Sequence, residues 1–278
     1  MEAHIGSDLP LILSCPHSGE KIPLEANWLH DIEDSVLLRR DLDLYVDRFY
    51  RPLARSKGLP FIFSPWTRYA VDLNRLPGDV DSDGVLNSPN PSGMFTTGLH
   101  WVKTSRDEEL MKRPISEDLH QILIASYYEP FHRAIVANFE HLKLQGHKRV
   151  FHMDLHSMPS KGTEIHRDPG DTRAEIVISD QDGKSCDEKF KELVVESYEH
   201  AGFEVKENWP YKGGRITQTY GSPVRGRHSI QVEMNRALYM NEETKEIDQK
   251  GFKECQVKIE KAFELITEQL KSHVVLLN

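Results

Sequence analysis

Four segments, far apart in the chain, carry the residue types from which a metal-dependent amide-hydrolysing site can be assembled. They are Cys15-Pro16-His17-Ser18-Gly19-Glu20, Arg68 through Asp72-Leu73-Asn74-Arg75, His152-Met153-Asp154-Leu155-His156-Ser157, and Ser229-Ile230-Gln231-Val232-Glu233-Met234-Asn235-Arg236. Each lies at or within an apolar, strand-like run, and strand ends of α/β sheets are where sites are built. His17 and Glu20 stand three residues apart directly after a strand, so both can face one metal ion, with Gly19 permitting the tight turn. A structural loop histidine is the competing reading. Strand alternation sends Asp154 and His156 to one side. His156 can then be a second ligand with Asp154 and Ser157 supporting it, or the pair can simply cap the following turn.

The other two segments supply recognition and proton transfer. A guanidinium fork takes a carboxylate through two parallel hydrogen bonds, and Arg68 and Arg75, with Asn74 beside the latter, suit a dicarboxylic substrate. Surface ion pairing is the bland alternative for each. Glu233 sits inside an apolar strand, where a carboxylate is expensive unless paired, metal-bound or protonated. It can take a proton from an attacking water and pass it to a leaving amine, or it can be ion-paired with Arg236 or Arg215.

Strands and helices alternate along the elements that must position these groups. Strands are predicted at Leu9 to Ser14, Pro60 to Ser64, Arg149 to Leu155, Glu175 to Ser179 and Ser229 to Met234, with Tyr69 to Leu73 as an extended piece. Leu42, Tyr45, Val46, Phe49 and Leu53 recur at helical spacing, so a helix is expected from near Asp41 to about Ser56, with Asp43 and Asp47 one turn apart on it. Glu117 to Lys143 reads as a long helix kinked at Pro130. Further helices are expected near Asp187 to His200 and Phe252 to Ser272, and residues 77–91 read as a surface excursion. No repeat or linker divides residues 1–278, so one three-layer α/β/α domain with a mixed sheet is the economical architecture.

Composition narrows the function class. The formal net charge of −9 offers no basic field for nucleic acid. No run approaches the roughly 20 apolar residues of a membrane span, and the first residues lack the features of a secretory signal, so a cytoplasmic location is expected. Cys15, Cys186 and Cys255 are odd in number and widely separated, which favours reduced thiols. Oligomeric state leaves no legible trace.

Taken in order, the motifs resemble those of the N-formylglutamate amidohydrolase family, from roughly Leu11 to Met240. The resemblance runs through Pro16-His17-Ser18-Gly19 with Pro23, Asp43 with Val46-Asp47, and Arg68 with Asp72 to Arg75. It continues through Asp154 to Ser157, the Asp182 to Cys186 turn, the Asn208 to Gly214 loop, and Gln231 to Met240. It implies a zinc-exopeptidase-like (phosphorylase/hydrolase-like) fold, a bound Zn2+ or other divalent metal, and cleavage of the N-acyl amide of an acidic amino acid. The small-molecule substrate it implies is N-formyl-L-glutamate, yielding formate and L-glutamate at the end of histidine degradation. It also ranks Asp43 ahead of Glu20 as the carboxylate ligand beside His17 and His156, although spacing favours Glu20. Glu233 is then the general base and acid. Arg75, Arg68 and Asn74 anchor carboxylates, Gly213 and Gly214 let a loop approach the ligand closely, and Arg215 adds a carboxylate contact. Two alternatives stay open: a hydrolase of another amide, such as an N-acetyl amino acid, a short acidic peptide or a cell-wall fragment, and a metal-free binder of acidic metabolites.

Overall fold

The computed structural model describes residues 9–277. Its centre is a six-stranded sheet. The strands are Leu11–Cys15 (β1), Phe61–Phe63 (β2), Val150–Met158 (β3), Ile176–Ser179 (β4), Val205–Glu207 (β5) and Arg227–Asn235 (β6), in the spatial order β2-β1-β3-β6-β4-β5. β2, β1, β3 and β6 run parallel, whereas β4 pairs antiparallel with β6 and carries β5 parallel to itself. The sheet is mixed, as expected, and its long central strands β3 and β6 are buried almost throughout.

Helices cover both faces. One layer holds Val46–Ser56 (α3, after the short helices α1, Asn27–His30, and α2, Ser35–Arg39), Glu188–His200 (α6) and Gln249–Leu277 (α8). Against it β1, β3 and β6 turn Leu11, Leu13, Phe151, Met153, Leu155, Ile230, Val232 and Met234. The other layer holds Glu117–Leu123 (α4), Glu129–Leu144 (α5) and Arg215–Tyr220 (α7), packed with Ile12 and Ile62. Local signals explain the helix starts. Ser116 accepts from Leu119 N at 3.2 Å to cap α4, and Asp187 accepts from Phe190 N at 3.0 Å to cap α6. Phe190, Val194, Ser197 and Tyr198 then form the buried stripe of α6.

Period-two alternation has a chemical consequence on the second face. There β1, β3 and β6 present Ser14, His152, Asp154, His156, Ser229, Gln231 and Glu233, all buried. The parallel register sets Ser14 beside Asp154, His152 beside Ser229, Asp154 beside Gln231 and His156 beside Glu233. A polar file therefore runs through the middle of the sheet towards its C-terminal edge.

Several expected elements are corrected. The helix expected from Asp41 begins only at Val46, because Tyr45 takes a left-handed φ of 69° and Asp43 N donates to His17 O. Asp43 and Asp47 thus do not share a helix face. Residues 68–75 form turns and not an extended piece: Ala70 N and Val71 N return to Thr67 O, and Asp72 accepts from Asn74 N in an Asx turn. The excursion at 77–91 is anchored, since Val80 and Val85 enter the second core and Asp81 accepts from the backbone of Asp83, Gly84 and Phe95. Pro130 lies in the first turn of α5 behind a π-helical turn, Ile124–Tyr128, whose wider spacing accommodates the missing N–H. β5 and α7 had no expectation.

Two glycines with positive φ separate strain from space. Gly226, before β6, has φ 70° and a Cβ there would lie 2.0 Å from Lys148 O, whereas Gly146 has φ 98° and nothing within 4 Å. Gly146→Ala should cost about 1–2 kcal/mol from the left-handed backbone alone, and Gly226→Ala should cost more. Denaturant unfolding of both variants checks this, and equal losses would contradict the close approach.

Candidate active site

His17 and Asp43 are brought together by backbone as much as by side chains. Ser18 Oγ donates to Asp43 O at 2.7 Å and accepts from Asp47 N at 3.2 Å, so Ser18 caps α3 from another segment while fixing the Asp43 turn. Gly19 passes the end of β2 so closely that a Cβ would sit 2.3 Å from Pro65 C. His156 comes from β3 on the polar face of the sheet. The three residues converge: ligand-type atoms of His17, Asp43 and His156 all lie within 4.8 Å of one another, and all three are buried.

Each imidazole is held from behind by a carboxylate. His17 Nε2 donates to Asp72 Oδ1 at 2.8 Å, and His156 Nε2 donates to Asp154 Oδ2 at 2.7 Å. Both Nδ1 atoms consequently face Asp43 Oδ2, at 3.5 Å from His17 and 3.0 Å from His156. His17 Nδ1 is buried without a hydrogen-bond partner. Two imidazole nitrogens and one carboxylate oxygen around a common point are the donor set of a divalent transition-metal site with an open position. Asp72 also accepts from Asn74 N, Arg68 Nε and Nη2, and Trp101 Nε1. Asp154 accepts from Ser14 Oγ, to which His152 donates in turn.

The electrostatics follow from burial opposed by pairing. Burial alone would push Asp43 up, yet His156 and His17 hold it well below the usual carboxylate range. Asp72 is similarly lowered against burial by Arg68 and His17. Glu233 goes the other way: burial, helped by the charge of Asp43, raises it to about 7 against the pull of His156 and Arg236. Its Oε1 accepts from Gln231 Nε2 at 2.8 Å, while its buried Oε2 has no partner. Neither Arg236 nor Arg215 pairs with it. Arg236 donates to Asp43 Oδ1 at 2.9 Å and to Ser157, and Arg215 pairs with Asp79 at 3.1 Å.

His17, Asp43, His156, Ser157, Glu233, Arg68, Asn74, Arg75, Gly213 and Gly214 line one cavity of about 320 Å³. Glu20 lies outside it, paired with Arg39 at 2.7 Å near the surface, so of the two carboxylates considered the fold brings Asp43 to the histidines. Arg68 has its fork closed on Asp72. Asn74 Oδ1 accepts from Ile216 N at 2.8 Å, which ties it to the start of α7, and Gly214 leaves room for that side chain. Arg215 faces an adjoining cavity that shares Arg75, Gly213 and Gly214 with the first. Arg75 meets only carbonyls, Thr97 O at 2.9 Å and Asn74 O at 3.1 Å.

Sequence reasoning missed the partners that come from loops. Asp72 lay inside a recognised motif, but its grip on His17 has no local signal. The pairing of Arg236 with Asp43 spans 193 residues. A further wall, formed by residues 159–174 with Tyr211, closes the cavity through Pro159, Ile165 and His166. It is fastened by Arg173, which grips Asp168 with two contacts of 2.8 Å and donates to Tyr211 OH at 2.9 Å.

Comparisons with known proteins identify the family. The family model for N-formylglutamate amidohydrolase matches residues 9–240. An N-formylglutamate deformylase of Pseudomonas aeruginosa is 30% identical over 241 residues, covering 84% of each chain. One from Pseudomonas putida is 28% identical over 241 residues, covering 84% of this chain and 83% of its own. The crystal structure of an N-formylglutamate amidohydrolase from Ralstonia eutropha superposes with a TM-score of 0.86 over 96% of both chains at 28% identity. A gene product of Agrobacterium tumefaciens shares the fold, with a TM-score of 0.70 at 19% identity and coverage of 97% and 93%.

The wall of residues 159–174 should respond to acid. Arg173 lowers Asp168 below its ordinary value of 3.8 despite burial. This pair therefore stabilises the fold fully above about pH 4 and loses that contribution as pH falls through the lowered value. Asp168→Asn should reduce stability at pH 7 and flatten the decline of stability below about pH 4. Unfolding curves across that range check it, and an unchanged acid limb would count against the pair.

Proposed function

The chain belongs to the N-formylglutamate amidohydrolase family, and we propose that it hydrolyses the amide of N-formyl-L-glutamate to formate and L-glutamate at the His17–Asp43–His156 cluster. The observation that carries this reading is the paired grip on the imidazoles. Asp72 and Asp154 take both Nε2 protons, so both Nδ1 atoms and Asp43 Oδ2 are turned to one point beside the unpartnered Oε2 of Glu233. Zinc fits this donor set, and His17, Asp43 and His156 would hold it. The same reading sets the reaction at the end of histidine degradation.

A divalent ion, when bound, supplies Lewis-acid polarisation and makes water acidic enough to attack near neutral pH. Glu233, raised to about 7 by burial, is suited to both halves of the proton transfer. Its Oε2 takes a proton as water oxygen adds to the formyl carbon. It returns that proton to the glutamate nitrogen as the C–N bond breaks, so that the free amine leaves with formic acid, whose remaining proton passes to the amine or to solvent to give formate. Gln231, itself held by Gly214 N at 2.8 Å, keeps the other carboxylate oxygen still. Arg75 takes a substrate carboxylate and fixes the amide relative to Glu233. Arg68 acts through Asp72, neutralising the acid that orients His17.

Metal content and turnover should separate these roles. His17→Ala, His156→Ala and Asp43→Ala should each lose divalent metal, and Asp72→Asn should weaken metal binding by about 10- to 100-fold. Glu233→Gln should retain metal and lose about 10²- to 10⁴-fold in kcat. Elemental analysis with steady-state kinetics distinguishes the sets, and full metal occupancy in His17→Ala/His156→Ala would sink the assignment.

Specificity gives an independent check. Arg75 is half-buried at the cavity with no carboxylate partner among the described residues, so a substrate carboxylate gains a charge-assisted hydrogen bond there and N-formylglutamate should exceed N-formylglutamine in kcat/KM by about tenfold or more. Comparable efficiency on the two would remove carboxylate recognition from the site.

A further inference from the structure

A dicarboxylic substrate needs two anion-recognising groups, and the arginines anticipated for that task are mostly engaged. Arg68 is closed on Asp72, Arg215 on Asp79 and Arg236 on Asp43, which leaves Arg75 as the cavity-lining guanidinium with no carboxylate partner among the described residues. A second donor is presented by the wall of residues 159–174.

That wall is built to hold a shape. Arg173 and Asp168 form a buried bidentate pair, Ser160 N donates to Glu242 at 3.0 Å, and Gly162 crosses Asp168 so closely that a Cβ would lie 1.9 Å from Asp168 O. On this frame Thr163 N donates to His166 Nδ1 at 2.9 Å. A backbone N–H can only donate, so Nδ1 must carry the lone pair and Nε2 the proton. Burial, with Arg173 nearby, lowers His166 from its ordinary value, which maintains this neutral form. The ring lines the cavity with Ile165 and Tyr211, and its Nε2–H has no protein acceptor among the described residues.

We propose that His166 is a specificity-determining residue whose Nε2–H donates to the substrate carboxylate that Arg75 does not hold. The inference rests on the hydrolase reading above, with N-formylglutamate as substrate. It assigns the two carboxylates to opposite kinds of donor: a charged fork from the 68–75 turn and a neutral, tautomer-locked imidazole from the 159–174 wall. A hydrogen bond to a charged group carries about ten- to a hundredfold in affinity, and losing it from ground and transition states alike raises KM and leaves kcat little changed.

The test uses the metal-loaded full chain as wild type, His166→Ala, His166→Gln and Arg75→Ala, with three substrates: N-formyl-L-glutamate, its γ-carboxamide and its α-carboxamide. His166→Ala should lose about ten- to a hundredfold in kcat/KM on N-formylglutamate, mainly through KM, with metal content kept. Its discrimination against one carboxamide should shrink by that factor, and Arg75→Ala should lose discrimination against the other. His166→Gln, which restores an N–H donor, should recover part of the loss. Unchanged discrimination in His166→Ala, or equal shrinkage against both carboxamides, overturns the proposal. Should the wild type hydrolyse none of the three, the hydrolase reading fails, and calorimetric titration with glutarate decides this one separately. Weaker glutarate binding by His166→Ala, about tenfold, then supports the contact, and identical affinity overturns it.

Discussion

Everything at the centre of this molecule depends on two carboxylate–imidazole hydrogen bonds, Asp72 to His17 and Asp154 to His156. Each fixes a ring by its far nitrogen, so the near nitrogens face a common point. Both acids are fully buried, and a buried carboxylate persists only when its oxygens are satisfied. The surroundings provide for that. Asp72 collects Arg68, Trp101 and the backbone of Asn74, and Asp154 collects Ser14, which is itself engaged by His152. Removing one partner would strand a charge, so these contacts form a network and not a set of separate bonds.

Charge balance then decides which cations remain for a ligand. Asp43 and Asp72 are buried at the site, and Arg68 and Arg236 are spent pairing with them while also donating to the backbone carbonyl of Asp41. Arg236 reaches Asp43 from the turn after β6, and the opposite end of that strand starts with Gly226 in a left-handed turn, so the strand is placed at both ends. Arg75 escapes this duty because its turn points it to the carbonyl of Thr97. Arginines that look equivalent in one dimension thereby end in different surroundings, Arg68 and Arg236 on carboxylates and Arg75 on carbonyls.

The walls differ in how they are secured. The side bearing Arg75, Gly213 and Gly214 is locked through Asn74, whose amide oxygen holds the start of α7 while Gly214 packs on its side chain. The side bearing His166 is an insertion between β3 and β4 held by a buried ion pair, the hydroxyl of Tyr211 and the contact of Ser160 with Glu242. Glu233 lines the same cavity from strand β6.

Among the described residues no helix is long and apolar enough to cross a membrane, and all three cysteines are buried and free. The sequence by itself determined the elements whose signals are local. A continuous apolar run made β1, alternating apolar residues made β3 and β6, caps at Ser116 and Asp187 started α4 and α6, and the same period-two alternation set Asp154 and His156 on one face. Family motifs ranked Asp43 over Glu20, and the folded chain brings Asp43 to both histidines. Only tertiary structure decided the rest. The Asp41 to Tyr45 stretch has helical spacing, but His17 O takes the Asp43 N–H and Ser18 Oγ donates to the Asp43 carbonyl, which turns the stretch into the loop that delivers Asp43. Arginine identity likewise predicts an anion partner without naming it: Asp72 took Arg68, Asp79 took Arg215, and Arg75 alone of the three was left with carbonyls. Backbone propensity is written within a few residues, whereas the partner of a long charged side chain is chosen by whatever the fold places within about 3 Å of it.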